Sequence, residues 1–156
     1  MLLGIGLDIC RIAPIRRSVS RLGNPWLDEI FTEAEQAELV RSTDLAVSAA
    51  RGFAAKEASS KALSTGFGDG VHWLDFETGP AETARQVRLH GGARDHARVH
   101  LPAKILIECQ TWLSPDYGRA VAVALLTDRS SDLDQTIIWS TISEAVIKPY
   151  RHACCA

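Results

Sequence analysis

Residues 53–62 read Phe-Ala-Ala-Lys-Glu-Ala-Ser-Ser-Lys-Ala, and the interpretation of the chain begins from this alanine-rich run. Alanine, lysine and glutamate are strong helix formers, so the run predicts a helix that continues to about Ser64. Glu57 and Lys61 are four residues apart and therefore project from one helical face. Taken alone, such a pair is most often a surface ion pair worth a few tenths of a kcal/mol. Lys56 points about 100° away from Glu57, so we expect Lys56 to face solvent while Lys61 faces a site.

The N-terminal residues 4–9 read Gly-Ile-Gly-Leu-Asp-Ile and belong to a predicted buried strand over residues 2–9. Glycines in a strand allow another backbone to approach closely. A buried, unpaired carboxylate is costly, so Asp8 needs a cation, a set of hydrogen-bond donors or a metal ion. If Asp8 meets Glu57 of the helix, the pair offers the one or two protein oxygens that Mg²⁺ takes, with phosphate and water as its other ligands. Together the two segments predict a metal-bound phosphate ester.

Composition places the chain among small globular proteins. Its 156 residues are 46% apolar and 23% charged, and a formal net charge of −2 with a pI near 6.2 disfavours a nucleic-acid protein held by bulk charge. No stretch approaches the roughly 18 apolar residues that span a bilayer, and no signal-peptide pattern is present. The four cysteines lack metal-binding spacing, so we expect reduced thiols in a cytoplasmic protein.

Positive charge is nevertheless concentrated locally. Arg11, Arg16, Arg17 and Arg21 fall within eleven residues that contain no acid. In a predicted helix over residues 11–22, Arg17 and Arg21 share a face and Arg16 lies beside it. This cluster suits docking of an acidic partner surface, and a solvated helix face explains it equally well.

A glycine-rich loop over residues 64–70 follows the predicted helix. Three glycines in five residues enforce a loop that can approach a ligand through its backbone. Thr65 and Gly66 could offer a hydroxyl and backbone amides to a phosphate. The loop follows a helix, whereas the nucleotide-binding P-loop precedes one, so the glycines alone are weak support for a nucleotide site.

The remaining pattern predicts an α+β fold, in which an N-terminal strand and helices pack on a mostly antiparallel sheet. Thr32 and Glu35 have capping-box spacing, which begins a helix that ends near Arg41, and Thr43 or Asp44 can cap the next helix. Further strands are predicted over residues 71–78, 86–90, 104–113 and 120–126, with a short helix near 93–99 and the last two strands forming a hairpin.

The chain divides into a domain over residues 1–127 and a C-terminal extension over residues 128–156. The extension begins polar and then becomes apolar, and Ile138, Ile142 and Val146 form a helical stripe with Trp139 beside it. We therefore predict a helix that docks on this protomer or on a neighbour.

The combination of these motifs resembles the holo-acyl-carrier-protein synthase family, the small trimeric type of 4′-phosphopantetheinyl transferase. The matching segments are residues 4–9, Ile30-Phe31-Thr32-x-x-Glu35, residues 53–62 and Thr65-Gly66-x-Gly68. The resemblance covers roughly residues 2–127 and is strongest up to about residue 77. Its most specific part is the string Phe-Ala-Ala-Lys-Glu-Ala-x-x-Lys-Ala.

The resemblance implies transfer of the 4′-phosphopantetheine arm from coenzyme A to a serine of an acyl carrier protein, with release of 3′,5′-ADP. It implies that Asp8 and Glu57 hold Mg²⁺ on the pyrophosphate and that Glu57 and Lys61 are the catalytic residues. It also implies a homotrimer with sites between neighbouring protomers. The residues that it places at the coenzyme site are Arg51, Lys61, Ser64, Thr65 and Gly66, and those that it places at the carrier-docking surface are Arg11, Arg16, Arg17 and Arg21.

The chain departs from the family pattern in three places. The order Arg51-Gly52-Phe53 moves the family's arginine by one position, and Ser64 stands where members commonly have glycine. Residues 112–115 replace a Ser-x-Ser/Thr-His motif, with Pro115 in place of the coenzyme-contacting histidine. The predicted C-terminal helix is a further addition to the short family pattern. An alternative hypothesis is therefore a divergent member that binds coenzyme A esters or a carrier protein without transferring, or that was recruited to other chemistry.

Overall fold

The computed structural model describes residues 1–79, 85–114, 116, 118–129 and 135–151, and within them one antiparallel sheet in the order β1-β5-β4-β3-β2. The strands are β1 (Leu2–Arg11), β2 (Phe76–Thr78), β3 (Arg85–Leu89), β4 (Ile105–Leu113) and β5 (Arg119–Asp128). The α-helices in these ranges are α1 (Ile12–Leu22), α2 (Asn24–Ile30), α3 (Glu33–Val40), α4 (Leu45–Leu63), α5 (Gly91–His100) and α6 (Gln135–Arg151). The predicted α+β class is confirmed.

Strand β5 lies inside the sheet, since β1 pairs with one of its edges and β4 with the other. Its alternating residues are buried on both faces, which explains the nearly continuous apolar run from Ala120 to Leu126. The predicted hairpin of the last two strands is confirmed by the β4–β5 pairing from Ile105 and Asp128 to Leu113 and Ala120.

Helix α4 packs on the face of β1 that carries the glycines. A Cβ atom on Gly6 would overlap the carbonyl oxygen of Ala58, and one on Gly4 would overlap that of Ala62. The two glycines therefore let the α4 backbone lie directly against the strand, as the sequence predicted. This contact brings the polar residues of β1 and α4 close together.

The prediction that β1 is a buried strand is wrong for one of its faces. Ile5, Leu7 and Ile9 are 59%, 51% and 51% exposed. Because β1 lies at the edge of the sheet and its side chains alternate between faces, only the face that carries Gly6 and Cys10 is covered by α4. We refer to Ile5, Leu7 and Ile9 as the β1 stripe.

The predicted helix caps are present. Oγ1 of Thr32 accepts the amide N–H of Glu35, and the Glu35 carboxylate accepts the amide N–H of Thr32 at 2.9 Å, which completes the capping box of α3. Asp44 caps α4, because its Oδ1 accepts the amide N–H groups of Ala46 and Val47 at 3.0 and 3.2 Å.

The predicted strand over residues 71–78 is mostly a turn. A short 3₁₀ helix occupies Trp73–Asp75, and β2 begins only at Phe76. The carboxylate of Asp75 accepts the amide N–H of His72 at 3.0 Å, which closes the turn and shortens the strand.

Helix α6 packs on the sheet of its own chain, on the face opposite α4. Trp139, Ile138 and Ile142 form a second apolar cluster with Val123 and Leu125 of β5, and Trp112 packs against it. The predicted docking helix is thus present, although the side chain of Val146 in the predicted stripe lies outside the described residues. Among the described helices none is long and apolar enough to cross a membrane.

Candidate active site

The contact of α4 with β1 brings an acid and a base together. Nζ of Lys61 lies 2.7 Å from Oδ1 of Asp8 and donates to the carbonyl oxygen of Leu7 at 3.1 Å. Asp8 is largely buried, whereas nearly half of the Lys61 side chain is exposed. The lysine therefore lies at the solvent-exposed side of the site, where its ammonium group can contact a negatively charged ligand.

Glu57 joins this pair from the preceding turn of α4. Burial raises the pKa of Glu57, the negative charge of Asp8 raises it further, and Lys61 partly lowers it. In the parts of the chain that the structure describes, the Glu57 carboxylate accepts no hydrogen bond and forms no ion pair. Asp8 and Glu57 are thus electrostatically coupled, and of these two carboxylates only Asp8 forms an ion pair with Lys61.

This donor set fits a hard divalent cation. A half-buried carboxylate with a raised pKa and no partner gains stability when a cation approaches, and two carboxylate oxygens with an open side match the way Mg²⁺ binds. The described residues contain no group of three or more His, Cys, Asp or Glu side chains that could hold a metal ion. A cation here would therefore take its other ligands from water and a bound phosphate.

Cys10 is part of the same surroundings, which the sequence reasoning did not recognise. Burial, then the charges of Asp8 and Glu57, raise the pKa of the Cys10 thiol to about 11. The thiol is therefore protonated at neutral pH and adds no charge to the site. The two-residue spacing from Asp8 was the available signal, since residues i and i+2 of a strand face the same side.

The glycine-rich loop begins one turn beyond Lys61. Ser64 and Gly66 are exposed and both have left-handed backbone conformations, with φ of 63° and 64°. A left-handed backbone conformation costs a non-glycine residue about 1 kcal/mol, which explains why family members commonly have glycine where this chain has Ser64. The amide of Thr65 donates to the carbonyl oxygen of Ser60 at 3.1 Å, so the start of the loop is fixed to the end of α4.

Arg51 lies nearly two turns before Glu57 on α4, and its side chain forms hydrogen bonds with the sheet. Its Nε donates to Oγ1 of Thr111 at 2.9 Å and its Nη2 donates to the carbonyl oxygen of the same residue at 3.2 Å. Burial lowers the pKa of Arg51 from its usual range. The structure therefore places the Arg51 side chain against β4, and it does not bring this side chain into contact with Asp8 or Glu57.

The expectation that Lys56 faces solvent is wrong. Its side chain is fully buried, with Nζ 2.7 Å from Oε2 of Glu35 and hydrogen bonds to the carbonyl oxygens of Trp73 and Phe76 at 3.0 and 2.6 Å. The other oxygen of Glu35 accepts from the amide and the hydroxyl of Thr78, both at 2.8 Å. This buried ion pair joins α3, α4 and β2, and it fixes the helix that carries Glu57.

The arginine cluster lies on α1 and just before it. Arg11 ends β1 and is exposed, and α1 carries the other three arginines along a groove of about 610 Å³ that reaches Gly118. Arg16 is already engaged, because its Nη2 lies 2.6 Å from Oδ2 of Asp44. No ion pair within the described ranges involves Arg17 or Arg21, so these two are the available cations of the groove.

One predicted departure cannot be placed. Pro115 lies outside the described residues, so the replacement of the family's histidine is known from sequence alone.

Comparisons with known proteins agree on one family. The family model described as "4'-phosphopantetheinyl transferase superfamily" matches residues 4–124. A holo-[acyl-carrier-protein] synthase of Methylorubrum populi is 43% identical over 103 residues, which cover 65% of this chain and 76% of that protein. A synthase of the same name from Methylobacterium radiotolerans is 37% identical over 127 residues, covering 81% of this chain and 93% of that protein.

Solved structures show the same fold. The Helicobacter pylori holo-[acyl-carrier-protein] synthase, solved in complex with coenzyme A, superposes with a TM-score of 0.60 and 30% identity. The match covers 79% of this chain and 99% of that chain. About a fifth of this chain therefore has no counterpart in that structure, and α6 begins eleven residues after the family match ends.

Proposed function

The chain belongs to the 4′-phosphopantetheinyl transferase superfamily, and on that premise we propose that it transfers the 4′-phosphopantetheine arm of coenzyme A to a serine of an acyl carrier protein. The observation that carries the proposal is the electrostatic coupling of Asp8 and Glu57 beside Lys61 at an open site. The names of the relatives and the coenzyme A bound to the Helicobacter pylori structure support the same substrates.

Asp8 and Glu57 are the residues that would hold Mg²⁺. A bound Mg²⁺ would neutralise the charge of the coenzyme A diphosphate and so favour departure of 3′,5′-ADP. The half-buried carboxylates favour that ion because burial strengthens their attraction for a cation.

The serine oxygen of the carrier forms a bond to the phosphorus that bears the pantetheine arm, and the bond from that phosphorus to 3′,5′-ADP breaks. One carboxylate oxygen of Glu57 would hold the ion, and the other would accept the serine proton. Lys61 places a positive charge at the exposed rim, where it offsets charge on the leaving diphosphate or assists proton transfer. These are the catalytic roles that we assign to the two residues.

The coenzyme lies against the end of α4. The amides of Ser64 and Thr65 already donate to carbonyl oxygens of α4. The exposed backbone of Gly66, which has a left-handed conformation, would therefore approach the phosphate oxygens, with the side chains of Ser64 and Thr65 beside it. Arg51 would act from the β4 side, where its guanidinium is already oriented by Thr111. The acidic surface of the carrier would dock on the α1 groove, through Arg17 and Arg21 with Arg11 and Arg16 beside them.

Assembly and location complete the proposal. A homotrimer is supported by the exposed β1 stripe, because exposed apolar side chains grouped on one face favour association with another protein surface. Sites between protomers would allow a neighbour to supply residues to the coenzyme pocket. We place the enzyme in the cytoplasm, where its cysteines would remain reduced.

A mass-spectrometric assay tests the function. The full chain is incubated with an apo acyl carrier protein, coenzyme A and Mg²⁺, and we expect the carrier to gain the mass of the phosphopantetheine arm. Retained coenzyme A binding without any gain across several carriers would overturn the transferase and favour the non-transferring alternative. Dependence on added Mg²⁺ after chelation tests the metal requirement separately.

A further inference from the structure

Strands β3 and β4 separate along part of their length, and the gap between them forms a cleft that the proposed reaction does not use. Strands β3 and β4 pair only from Arg85 and Cys109 to Val87 and Ile107. Beyond that point β3 continues against β2, and β4 begins against β5, so the two strands no longer pair with each other. The gap between them, closed on one side by α5, is a cleft of about 570 Å³, which we call the β3–β4 cleft.

The cleft is lined by arginines from three parts of the fold. Arg88 comes from β3, Arg94 and Arg98 from α5, and Arg129 follows β5. Arg88 is paired with Glu77 at 3.2 Å, and Arg94 lies 3.8 Å from Asp95. Among the residues that the structure describes, Arg98 and Arg129 form no ion pair and no acidic side chain lines the cleft.

The interior surface of the cleft is apolar. Val87, Ala97 and Ile107 all line it and are buried in the main core cluster. Volumes of about 300–1,000 Å³ with an apolar lining and a few convergent polar groups are typical of sites for small organic ligands. The combination of unpaired arginines with an apolar interior selects a ligand that carries a negative charge on an apolar body.

The cleft is well separated from Asp8 along the sheet. Asp8 pairs with Ala122 near the beginning of β5, whereas Arg129 follows the end of that strand. Seven residues of strand correspond to about 23 Å. A ligand in the cleft would therefore not touch Asp8.

We propose that the β3–β4 cleft is a second binding site, for an organic anion with a phosphate or carboxylate group on an apolar body. Arg98 and Arg129 hold the anionic group through charge-assisted hydrogen bonds. The apolar body lies against Val87 and Ile107, between the splayed strands. The proposal is independent of the transferase reaction, since no residue of the cleft belongs to the proposed active site.

Titration calorimetry with n-hexyl phosphate on the full chain tests the proposal, with methyl NMR to locate the ligand. We expect saturable binding, with the largest shifts at the methyl groups of Val87 and Ile107. The double variant Arg98→Ala/Arg129→Ala should bind at least about tenfold more weakly, because both unpaired cations are lost. Arg41→Ala is the matched control, since that arginine is exposed on α3, and it should change the affinity less than about twofold.

Three results would overturn the proposal. The first is a titration without saturable binding. The second is equal affinity in the double variant, provided that its thermal unfolding matches the parent chain. The third is a set of NMR shifts centred on α1 instead of the cleft. Inorganic phosphate should bind much more weakly than n-hexyl phosphate, and equal binding of the two would contradict the role of the apolar lining.

Discussion

The ammonium group of Lys61 lies 2.7 Å from Oδ1 of Asp8, so the lysine occupies one of the two carboxylates that the proposed cation needs. Glu57, the other carboxylate, is the one whose pKa is raised by burial and by Asp8. The proposed cation would compete with Lys61 for Asp8 if it binds Oδ1, the oxygen that the lysine contacts. The lysine and the proposed ion would then be alternative partners of Oδ1, and a displaced lysine would be free to turn toward a bound diphosphate.

Lys61→Met separates two proposed roles of the lysine, which are pairing with Asp8 and offsetting charge on the diphosphate. The substitution keeps the apolar stem and removes the ammonium, so carrier modification should slow by at least about tenfold because charge on the leaving group is no longer offset. Affinity for Mn²⁺, used as a spectroscopic substitute for Mg²⁺, should stay equal or rise because the competitor for Asp8 is gone. Electron paramagnetic resonance of bound Mn²⁺ and the mass-spectrometric assay measure the two quantities.

Asp8→Asn is the matched comparison, because it removes charge from the proposed metal site itself. This variant should lose both Mn²⁺ affinity and transfer. If Lys61→Met loses as much Mn²⁺ affinity as Asp8→Asn, the lysine does not compete with the ion and the proposed arrangement is wrong.

The buried pair of Lys56 and Glu35 makes a prediction for stability. Lys56→Met leaves the Glu35 carboxylate without its cation, and removing one partner of a buried ion pair costs about 3–5 kcal/mol. The double variant Lys56→Met/Glu35→Gln should be less destabilised than the sum of its single variants, because no unpaired charge remains buried. Urea unfolding of all four chains measures this difference.

Arg41 and Glu38 provide the exposed comparison. Their side chains lie 3.2 Å apart on the surface, where an ion pair is worth about 0–1 kcal/mol. Arg41→Met should therefore change the free energy of unfolding little. A Lys56→Met variant that is no less stable than Arg41→Met would show that the buried pair does not stabilise the fold.

Asp44 gives a prediction for pH dependence. The hydrogen bond from Arg16, followed by the amide of Val47, lowers the pKa of Asp44 below its usual value. The folded state therefore binds this proton less readily than the unfolded chain, whose aspartates have a pKa of about 3.9. The stabilisation is complete above that value and is lost as pH falls through the lower pKa of the folded state.

Asp44→Ala should cost about 1 kcal/mol at pH 7, a typical value for loss of an N-cap, and the difference should shrink as pH is lowered from 5 to 3. Asp44→Asn keeps the capping oxygen and serves as the control, with a smaller loss at pH 7. Urea unfolding across this pH range measures both. A difference that stays constant with pH would contradict the role of the charge.

Trp139 tests how strongly α6 is attached to the sheet. Trp139→Ala removes a side chain that is 7% exposed over Val123 and Leu125, so it should lower the free energy of unfolding by about 3 kcal/mol. Trp139→Phe is the control, because the buried Nε1 donates to no acceptor in the described structure and its removal loses no hydrogen bond. Equal stability of the alanine variant and the parent would mean that α6 is not held on this face.

The predicted elements that proved correct depend on local patterns. The Thr32 and Glu35 capping box, the Asp44 cap and the glycines of β1 each specify structure through neighbouring residues in sequence. Helix periodicity also indicated that Glu57 and Lys61 share a face of α4. The contact of Asp8 with Lys61 depends on how β1 packs on α4, and the expectation that Asp8 meets this face came from the family resemblance.

The errors concern features that depend on neighbours distant in sequence. Helix periodicity gave the angle between Lys56 and Glu57, but α4 contacts the sheet and also α1 and α3, so Lys56, which we expected to face solvent, is buried. Likewise β1 reads as an apolar strand, and only the strand order shows that it is an edge whose Ile5 and Leu7 remain exposed. The bond of Arg51 to Thr111, sixty residues away, had no local signal.

Charge reversal on α1 tests the docking surface of the carrier. Arg17→Glu/Arg21→Glu should raise the KM for an acidic carrier by at least about tenfold while leaving coenzyme A affinity unchanged, because both residues lie on the α1 groove away from the carboxylate pair. The effect should weaken between about 50 and 200 mM salt, since exposed charges are screened. Arg41→Glu is the control for overall charge, whereas Arg16→Glu would also break the bond to the α4 cap. An unchanged KM in the double variant, or an equal rise with Arg41→Glu, would exclude the groove as the docking surface.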